Sequence, residues 1–436
     1  MKDNSVSRRP IAIDLFAGAG GLSLGFEQAG FNIAASVEID PIHSATHHYN
    51  FPYAKAICRS VVDLSGSELR ALAGVGDADI DVVCGGAPCQ GFSTIGKRAF
   101  DDPRNQLVFH FCRLVEELQP KYAVFENVRG LTFGAHRAFL SEIIETLQVS
   151  GYEVRLPYSV LNAADFGVPQ DRKRLFLLAT RRDQALPTYP DRRAQVTVGE
   201  AIGDIPDADG FDDLLYRDHV PARFAKGSTY ARRLRGELLD KEDFSHPRRW
   251  NSKLLTSSAR TAHTDLSRKR FIQTPTGSVE PISRFLKLDP NGLCNTLRAG
   301  TDSARGAFTS PRPIHPTLPR VITVREAARL HSYPDWFRFH ATKWHGFRQI
   351  GNSVPPLLAR AVAAQLIAAM GLRPHKPIAP LDLGAEAELN YTMADAVRRF
   401  GLSASPIANR IRQIETVVDS DTAQVHLDLE ESAVDG

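Results

Sequence analysis

The sequence predicts an α/β fold, in which a mixed, mainly parallel sheet is covered by helices, accompanied by a smaller irregular domain. Short runs rich in Ile, Val, Leu and Phe show little polar alternation, as parallel strands buried on both faces do. Helical stretches separate these runs. The alternation of the two patterns stops after residue 182, where the composition becomes irregular.

Strand and helix patterns occupy the first 182 residues, which we assign to one wound domain. The apolar runs predict strands at 11–15, 33–39, 80–86, 122–128 and 174–180. The segments between them predict helices at 21–29, 103–118 and 136–149.

Residues 183–315 are rich in Pro, Gly, Ser, Arg and His and are too long for a plain loop, so they predict a second, irregular domain. A helix is expected within 321–334, with Thr323 and Glu326 as a capping box and Pro334 as its stop. An apolar helix at 355–371 is expected to pack onto the first domain. We therefore assign 316–370 to that domain and 371–436 to an accessory tail.

The composition is that of a globular protein: 43% of the 436 residues are hydrophobic and 24% are charged. No apolar run approaches the roughly 20 residues that span a bilayer, and residues 1–10 lack the core of a signal peptide. The five cysteines are odd in number and form no C-x-x-C pair. This argues against disulfides or a metal site and predicts a cytoplasmic protein.

Charge is distributed unevenly behind a net charge of +3. Residues 221–320 contain 19 Lys and Arg against 8 Asp and Glu, whereas 371–436 contain 6 against 11. A basic block of this kind is typical of a segment that binds a polyanion, although a solvated, arginine-rich surface has the same composition.

A glycine-rich turn follows the first predicted strand in DLFAGAGGLSLGF (14–26). Such a turn lets a ligand approach the backbone and faces it with a helix N-terminus, here near Gly21. Glu38 ends the second strand, where a carboxylate can accept hydrogen bonds from a ribose diol. A dinucleotide oxidoreductase begins in the same way, so these residues alone leave two enzyme classes open.

Cys89 follows another strand in GGAPCQGFS (85–93), at the edge where a wound sheet binds its ligands. A cysteine thiolate is a strong nucleophile, and this position predicts covalent catalysis. The other four cysteines lie in apolar runs or lack this setting, as structural thiols do.

Together with FENV (125–128) and QDRKR (170–174), these motifs resemble those of the bacterial cytosine carbon-5 DNA methyltransferases of type II restriction-modification systems. The blocks 320–337 and 349–359 resemble the last two motifs of that family. The resemblance implies a Rossmann-like S-adenosylmethionine-dependent methyltransferase fold with a small target-recognition domain at 183–315. An NAD oxidoreductase would have no use for PCQ or for these C-terminal motifs.

The chemistry of cytosine suits this assignment. Carbon 5 becomes nucleophilic only after a thiolate, here Cys89, adds to carbon 6. The resemblance implies that Glu126 meets ring nitrogen 3, and that Arg174, with Arg172 beside it, holds the ring carbonyl oxygen and supports the pocket. The alternatives are a strand-end salt bridge for Glu126 and an exposed basic turn for the arginines.

The resemblance also implies a set of cofactor contacts. The residues expected around S-adenosylmethionine are Phe16, Gly18, Gly20, Gly21, Glu38, Ile39, Pro88, Leu107, Asn352 and Ser353. The family usually places an Asp on the adenine after the third strand, where this chain reads AICRSVVDLSG (56–66). Spacing favours Ser60 there and residue type favours Asp63; we prefer Ser60.

The implied partner is double-stranded DNA, from which the target cytosine must be flipped. Expected DNA contacts are Gln90, Ser93, Lys97, Arg98, Thr296 and Arg298, and the basic residues Arg232, Arg233, Arg235, Arg268, Lys269 and Arg270 are further candidates. We expect a monomer associated with the bacterial nucleoid, functionally paired with a restriction endonuclease. An RNA methyltransferase of the same fold and a non-catalytic DNA-binding protein are the alternatives.

The tail contains YTMADAVRRFGLSASPIANRIRQIE (391–415), whose two helical stretches flank a turn. This pattern looks like a DNA-binding helix-turn-helix. Its acidic flanks favour a plain accessory tail instead.

Overall fold

A computed structural model of the chain describes residues 8–88, 103–134, 136–300 and 312–407. Its main sheet has eight strands with helices on both sides. The strands are β1 (Ile11–Leu15), β2 (Asn32–Val37), β3 (Lys55–Ile57), β4 (Val82–Gly85), β5 (Tyr122–Val128), β6 (Tyr152–Val154), β7 (Ser159–Asn162) and β8 (Lys173–Arg181). The helices between them are α1 (Gly21–Ala29), α2 (Pro41–Asn50), α3 (Gly66–Ala73), α4 (Pro103–Leu118) and α5 (His136–Val149).

The strand order is β3-β2-β1-β4-β5-β8-β6, with β7 also paired to β8. The first five strands in this order are parallel, whereas β8 runs antiparallel to β5, β6 and β7. The chain reverses its winding direction between β1 and β4, which makes their carboxyl ends a topological switch point.

All five predicted strands and three predicted helices are confirmed within two residues at their ends. The grouping of 174–180 with the parallel strands was wrong, because burial on both faces leaves the same apolar run whatever the direction of the strand. The short strands β3, β6 and β7 went unpredicted. So did α2, because histidine, serine and threonine side chains form much of its buried surface.

The segment between β8 and the last helices is irregular, as predicted. Its regular elements are α6 (Val198–Ile202), β9 (Val220–Pro221), α7 (Thr229–Leu234), β10 (Arg248–Arg249), β11 (Leu254–Leu255) and α8 (Asp265–Gln273). Small apolar clusters hold it together, one around Leu214 and Val220 and another around Phe271 and Ile314.

Three helices follow: α9 (Val324–Leu330), α10 (Lys343–Asn352) and α11 (Pro356–Ala369). The capping box of Thr323 and Glu326 is confirmed, but α9 ends at Leu330 rather than at Pro334. Helix α11 packs on α1 so closely that a Cβ atom on Gly25 would lie 2.3 Å from the Cβ atom of Ala359. The expected return of this helix to the first domain is therefore confirmed.

The first part of the tail is docked on the α/β domain. Strand β12 (Leu381–Asp382) pairs with β10, and α12 (Met393–Arg399) lies against α2. Leu389 and Ala396 are buried in this contact. The second half of the suggested helix-turn-helix lies outside the described residues. Among the described helices none is both long and apolar enough to cross a membrane.

Candidate active site

The segments that follow β1 and β4 meet at the switch point of the sheet. After β1, Phe16, Gly18 and Gly20 adopt left-handed backbone angles, with φ of 60°, 54° and 103°. A Cβ atom on Gly18 would meet nothing within 4 Å, so space is open above this turn. A ligand can therefore approach the main chain there, as the sequence predicted. We call this turn, residues 16–21, the cofactor loop.

The carboxylate of Glu38 is held in place by the turn itself. Its Oε2 accepts from the backbone N–H of Gly18 at 2.8 Å, and its Oε1 accepts from that of Asp40 at 2.8 Å. Burial raises its pKa, and the two N–H donors oppose that change. Ile39 beside it is 40% exposed, an apolar side chain available to a ligand ring.

Gly21 allows the start of α1 to touch the turn between α10 and α11. A Cβ atom there would lie 2.4 Å from the carbonyl oxygen of Val354, 2.6 Å from the hydroxyl of Tyr333 and 2.9 Å from the Cβ atom of Ser353. The buried position of this glycine thus brings the last motif against the cofactor loop.

We expect Gly21→Ala to separate these two segments. Overpacking of this kind costs about 1–3 kcal/mol, and affinity for S-adenosylhomocysteine is expected to fall at least about tenfold. Thermal unfolding and calorimetric titration measure the two effects. Gly210→Ala is the matched control, since its exposed Cβ would meet nothing within 4 Å. Equal thermal stability and equal affinity for S-adenosylhomocysteine in the two variants would contradict this expectation.

The other predicted cofactor residues lie around this loop at different depths. Ser60 is half-buried just after β3 and its hydroxyl accepts from the N–H of Val62, whereas Asp63 is exposed. Strand β3 contacts the residue that follows β2, because the carbonyl oxygen of Ile57 accepts a hydrogen bond from the backbone N–H of Glu38. The preference for Ser60 as the adenine contact stays a prediction.

Four further cofactor candidates lie on neighbouring segments. Pro88 is half-buried after β4, and Leu107 is half-buried on α4 against the sheet core. Asn352 is exposed at the end of α10, and the hydroxyl of Ser353 donates to the carbonyl of Ile350 at 2.8 Å.

Glu126 and Arg174 form a buried ion pair beside the segment that leads to Cys89. Arg174 Nε lies 2.9 Å from Glu126 Oε1. A Cβ atom on Gly86 would lie 2.5 Å from Glu126 Oε2, so the chain after β4 passes directly over the carboxylate. Burial raises the pKa of Glu126, and both Arg174 and Arg172 oppose that change. The pair therefore offers a protonatable carboxyl group and a cation at one point.

Arg172 differs from Arg174 in what it contacts. Its Nη1 donates to the carbonyl of Leu297 at 2.8 Å, and its Nη2 donates to those of Gly351 at 2.8 Å and Ser353 at 2.9 Å. Only its Nε atom has no hydrogen-bond partner among the described residues. Two of the three guanidinium nitrogens are thus occupied by main-chain carbonyls.

Cys89 lies outside the described residues, as do Gln90, Ser93, Lys97 and Arg98. The four described cysteines are buried. Burial raises the pKa of Cys58 and of Cys112 to about 12. It also raises the pKa of Cys84 and Cys294. None of these four thiols would form a thiolate readily near neutral pH.

Thr296 and Arg298 lie where the irregular segment returns to the sheet. The hydroxyl of Thr296 donates to the carbonyl of Asp171 at 2.7 Å, and Arg298 is exposed. Among the basic candidates, Arg268 pairs with Asp209 at 2.6 Å. Further pairs join Arg232 and Arg235 to Glu237 and Arg270 to Glu280, whereas Arg233 and Lys269 are exposed.

A buried polar chain that the sequence did not reveal lies beneath the cofactor loop. Asp14 Oδ2 accepts from the hydroxyl of Ser23 at 2.6 Å, and that hydroxyl lies 3.0 Å from His47 Nε2. Burial raises the pKa of Asp14 to about 7 and lowers that of His47 to about 3. Both groups are therefore disposed to be neutral, and only the tertiary fold brings them together.

We expect Asp14→Asn to change how stability depends on pH. The folded wild type binds a proton at Asp14 that the unfolded chain has lost, so this group's contribution to stability falls as pH rises from about 4 to about 7. At pH 8 the variant should be more stable by roughly 4 kcal/mol, and the difference should shrink toward pH 4. Urea unfolding across this range measures it, with exposed Asp77→Asn as control. A stability difference between Asp14→Asn and the wild type that does not change with pH would contradict the raised pKa of Asp14.

Comparison with known proteins gives consistent matches. The family model described as C-5 cytosine-specific DNA methylase matches residues 11–368. The chain is 63% identical to the type II methyltransferase M.XorII of Xanthomonas oryzae, over 93% of this chain and 96% of that protein. It is 36% identical to M1.HphI of Haemophilus parahaemolyticus over 81% and 86% of the two chains. A DNA modification methyltransferase encoded within an E. coli prophage is similar in structure, with TM-score 0.68, 33% identity, and coverage of 83% and 99%.

Proposed function

The chain belongs to the C-5 cytosine-specific DNA methylase family, and on that premise we propose that it methylates a flipped cytosine through a covalent adduct with Cys89, using S-adenosylmethionine. The enzyme is a DNA cytosine methyltransferase with a Rossmann-like fold. The observation that carries the finer proposal is the buried pair of Glu126 and Arg174 beside the chain that enters Cys89.

The cofactor loop fits S-adenosylmethionine. The open space above Gly18 admits a ligand to the main chain, and each Glu38 oxygen keeps a lone pair for a ribose hydroxyl. Ile39 offers an apolar surface to the adenine. When bound, the cofactor supplies an electrophilic methyl group on a sulfonium sulfur. We assign the turn before Gly21 to its methionine end, and Phe16 either to the adenine or to the methionine.

The nucleophile is Cys89 by position and by elimination. It follows β4 at the switch point, and the four described thiols are buried with raised pKa values. Its thiolate adds to carbon 6 of cytosine and forms a carbon–sulfur bond. The electron pair of the 5,6 double bond moves into the ring, where Glu126 gives a proton to nitrogen 3.

The resulting enamine makes carbon 5 nucleophilic. Carbon 5 accepts the methyl group as the methyl–sulfur bond breaks, and the bonding electron pair stays on the sulfur, which leaves as a neutral thioether. A base then removes the proton from carbon 5, the double bond forms again, and Cys89 leaves as a thiolate. Nitrogen 3 returns its proton to Glu126. Arg174 stabilises negative charge at the ring carbonyl oxygen, and Arg172 supports the pocket by holding the main chain of Leu297 and Ser353.

The substrate is duplex DNA, whose target base must leave the stack to meet these groups. We propose that the segment from 183 to 315 reads the recognition sequence, consistent with the basic balance of 221–320. The proposed DNA contacts are Gln90, Ser93, Lys97, Arg98, Thr296 and Arg298. Because its relatives are type II methyltransferases, we propose that the enzyme acts as a monomer in the bacterial cytoplasm and protects DNA from a partner endonuclease.

Trapping tests this proposal directly. Bisulfite sequencing of DNA from cells that express the chain identifies the methylated site. A duplex carrying 5-fluorocytosine at that site cannot lose a proton from carbon 5, so it should remain bonded to Cys89 in a peptide identified by mass spectrometry. Transfer RNA is the control substrate. No adduct at Cys89, or preferential methylation of the RNA, would overturn the proposal.

A further inference from the structure

Three side chains join segments that are far apart in sequence at one buried point. Gln170 and Arg172 lie just before β8, and His331 follows α9. Gln170 and His331 are fully buried and Arg172 is 1% exposed. Their hydrogen bonds reach two places. One is the end of the segment 183–315, which we call the recognition segment, and the other is the turn between α10 and α11.

The recognition segment is fixed from one side of this group. Gln170 Oε1 accepts from the N–H of Leu297 at 3.1 Å, while Arg172 Nη1 donates to the carbonyl of the same residue at 2.8 Å. Cys294 adds a backbone bridge to Gln170. Both polar groups of the Leu297 main chain are thus held, directly between Thr296 and Arg298.

The turn beside the cofactor loop is fixed from the other side. Arg172 Nη2 donates to the carbonyls of Gly351 and Ser353, and His331 Nε2 lies 3.1 Å from the latter. Gln170 Nε2 lies 3.0 Å from His331 Nδ1. Burial lowers the pKa of His331 far below its usual range, so the ring is neutral, accepts at Nδ1 and donates at Nε2.

The two sides touch each other as well. A Cβ atom on Gly351 would lie 2.4 Å from the backbone nitrogen of Ala299, and Gly21 makes a similarly close approach to Val354. A continuous path of buried contacts therefore runs from the residues around Arg298 to the first turn of α1. Such contiguous packing can carry energetic coupling between two binding sites.

We propose that Gln170, Arg172 and His331 form a positioning clamp that couples DNA held by the recognition segment to the cofactor held above Gly18. The clamp rests on the function proposed above and deepens it, since it gives DNA engagement a physical route to the cofactor loop. Its members act as positioning residues, through the main chain that they bind. They fix the position of the Leu297 main chain relative to the turn at 351–353.

Binding measurements test the clamp. Calorimetry gives the affinity of the wild type for S-adenosylhomocysteine, with and without a duplex containing the site identified by bisulfite sequencing. We expect the duplex to raise this affinity about tenfold in the wild type. In His331→Phe, which keeps a ring but removes both hydrogen bonds, the effect should fall to within about twofold. His331→Gln can both accept and donate and should restore part of it.

If His331→Phe does not fold, Gly351→Ala replaces it in the coupling measurement. This variant separates the recognition segment from the turn without removing a buried polar group. Unchanged coupling in folded His331→Phe, or in Gly351→Ala if that phenylalanine variant is unfolded, would overturn the clamp. Absence of coupling in the wild type would also overturn it. These outcomes are separate from the trapping experiment: a wild type that forms the Cys89 adduct but shows no coupling refutes the clamp alone.

Discussion

Cys89→Ser is expected to lower kcat for methyl transfer by at least about a thousandfold, because a serine hydroxyl ionises far less readily than a thiol and adds poorly to carbon 6. Binding should survive, since the basic recognition segment and the cofactor loop are unchanged. We expect the Kd for duplex DNA to stay within about threefold of the wild-type value. Single-turnover methylation and a DNA-binding titration measure the two quantities separately.

Cys112→Ser is the matched control for this substitution. Cys112 is fully buried on α4 and is outside the site. It should keep methyl transfer, with at most a modest loss of stability. Normal turnover by Cys89→Ser, or an equal loss of turnover in both variants, would remove the basis for assigning the nucleophile to position 89.

Glu126→Gln is expected to lower kcat by about 10²–10⁴-fold, the range associated with loss of a general acid. The amide can still accept a hydrogen bond from Arg174 and contact the base, so KM for DNA should change little. Burial raises the pKa of the native carboxyl group. Wild-type kcat should therefore fall as pH rises through that pKa, and the variant should lack this part of the profile.

Glu142→Gln on α5 provides the comparison, because Glu142 is exposed and distant in sequence from the motifs. It should reproduce the wild-type rate and pH profile. Thermal unfolding checks that Glu126→Gln remains folded with Arg174 still paired. A fully active Glu126→Gln, or a loss that appears only in KM, would mean that this carboxyl group binds the base without transferring a proton.

The wound domain could be predicted from sequence because a buried strand is a run of apolar residues that are neighbours in the chain. The runs that became β1, β4, β5 and β8 are apolar over consecutive residues, and the capping box before α9 lies within four residues. The family motifs likewise stand as short strings, so residue type and order were enough to propose Cys89 as nucleophile and Glu126 as general acid. Each of these signals is read from neighbours along the chain.

What the sequence by itself determined, then, was the class of fold and the family resemblance, and it supplied the hypothesis about which residues carry the reaction. The tertiary structure alone decided that β8 runs antiparallel, that Asp14 and His47 share a buried polar chain, and that Arg172 serves Leu297 and Ser353. The physical reason is that strand direction and hydrogen bonds between residues that are not neighbours in sequence depend on how the chain packs. Local residue patterns carry no record of it.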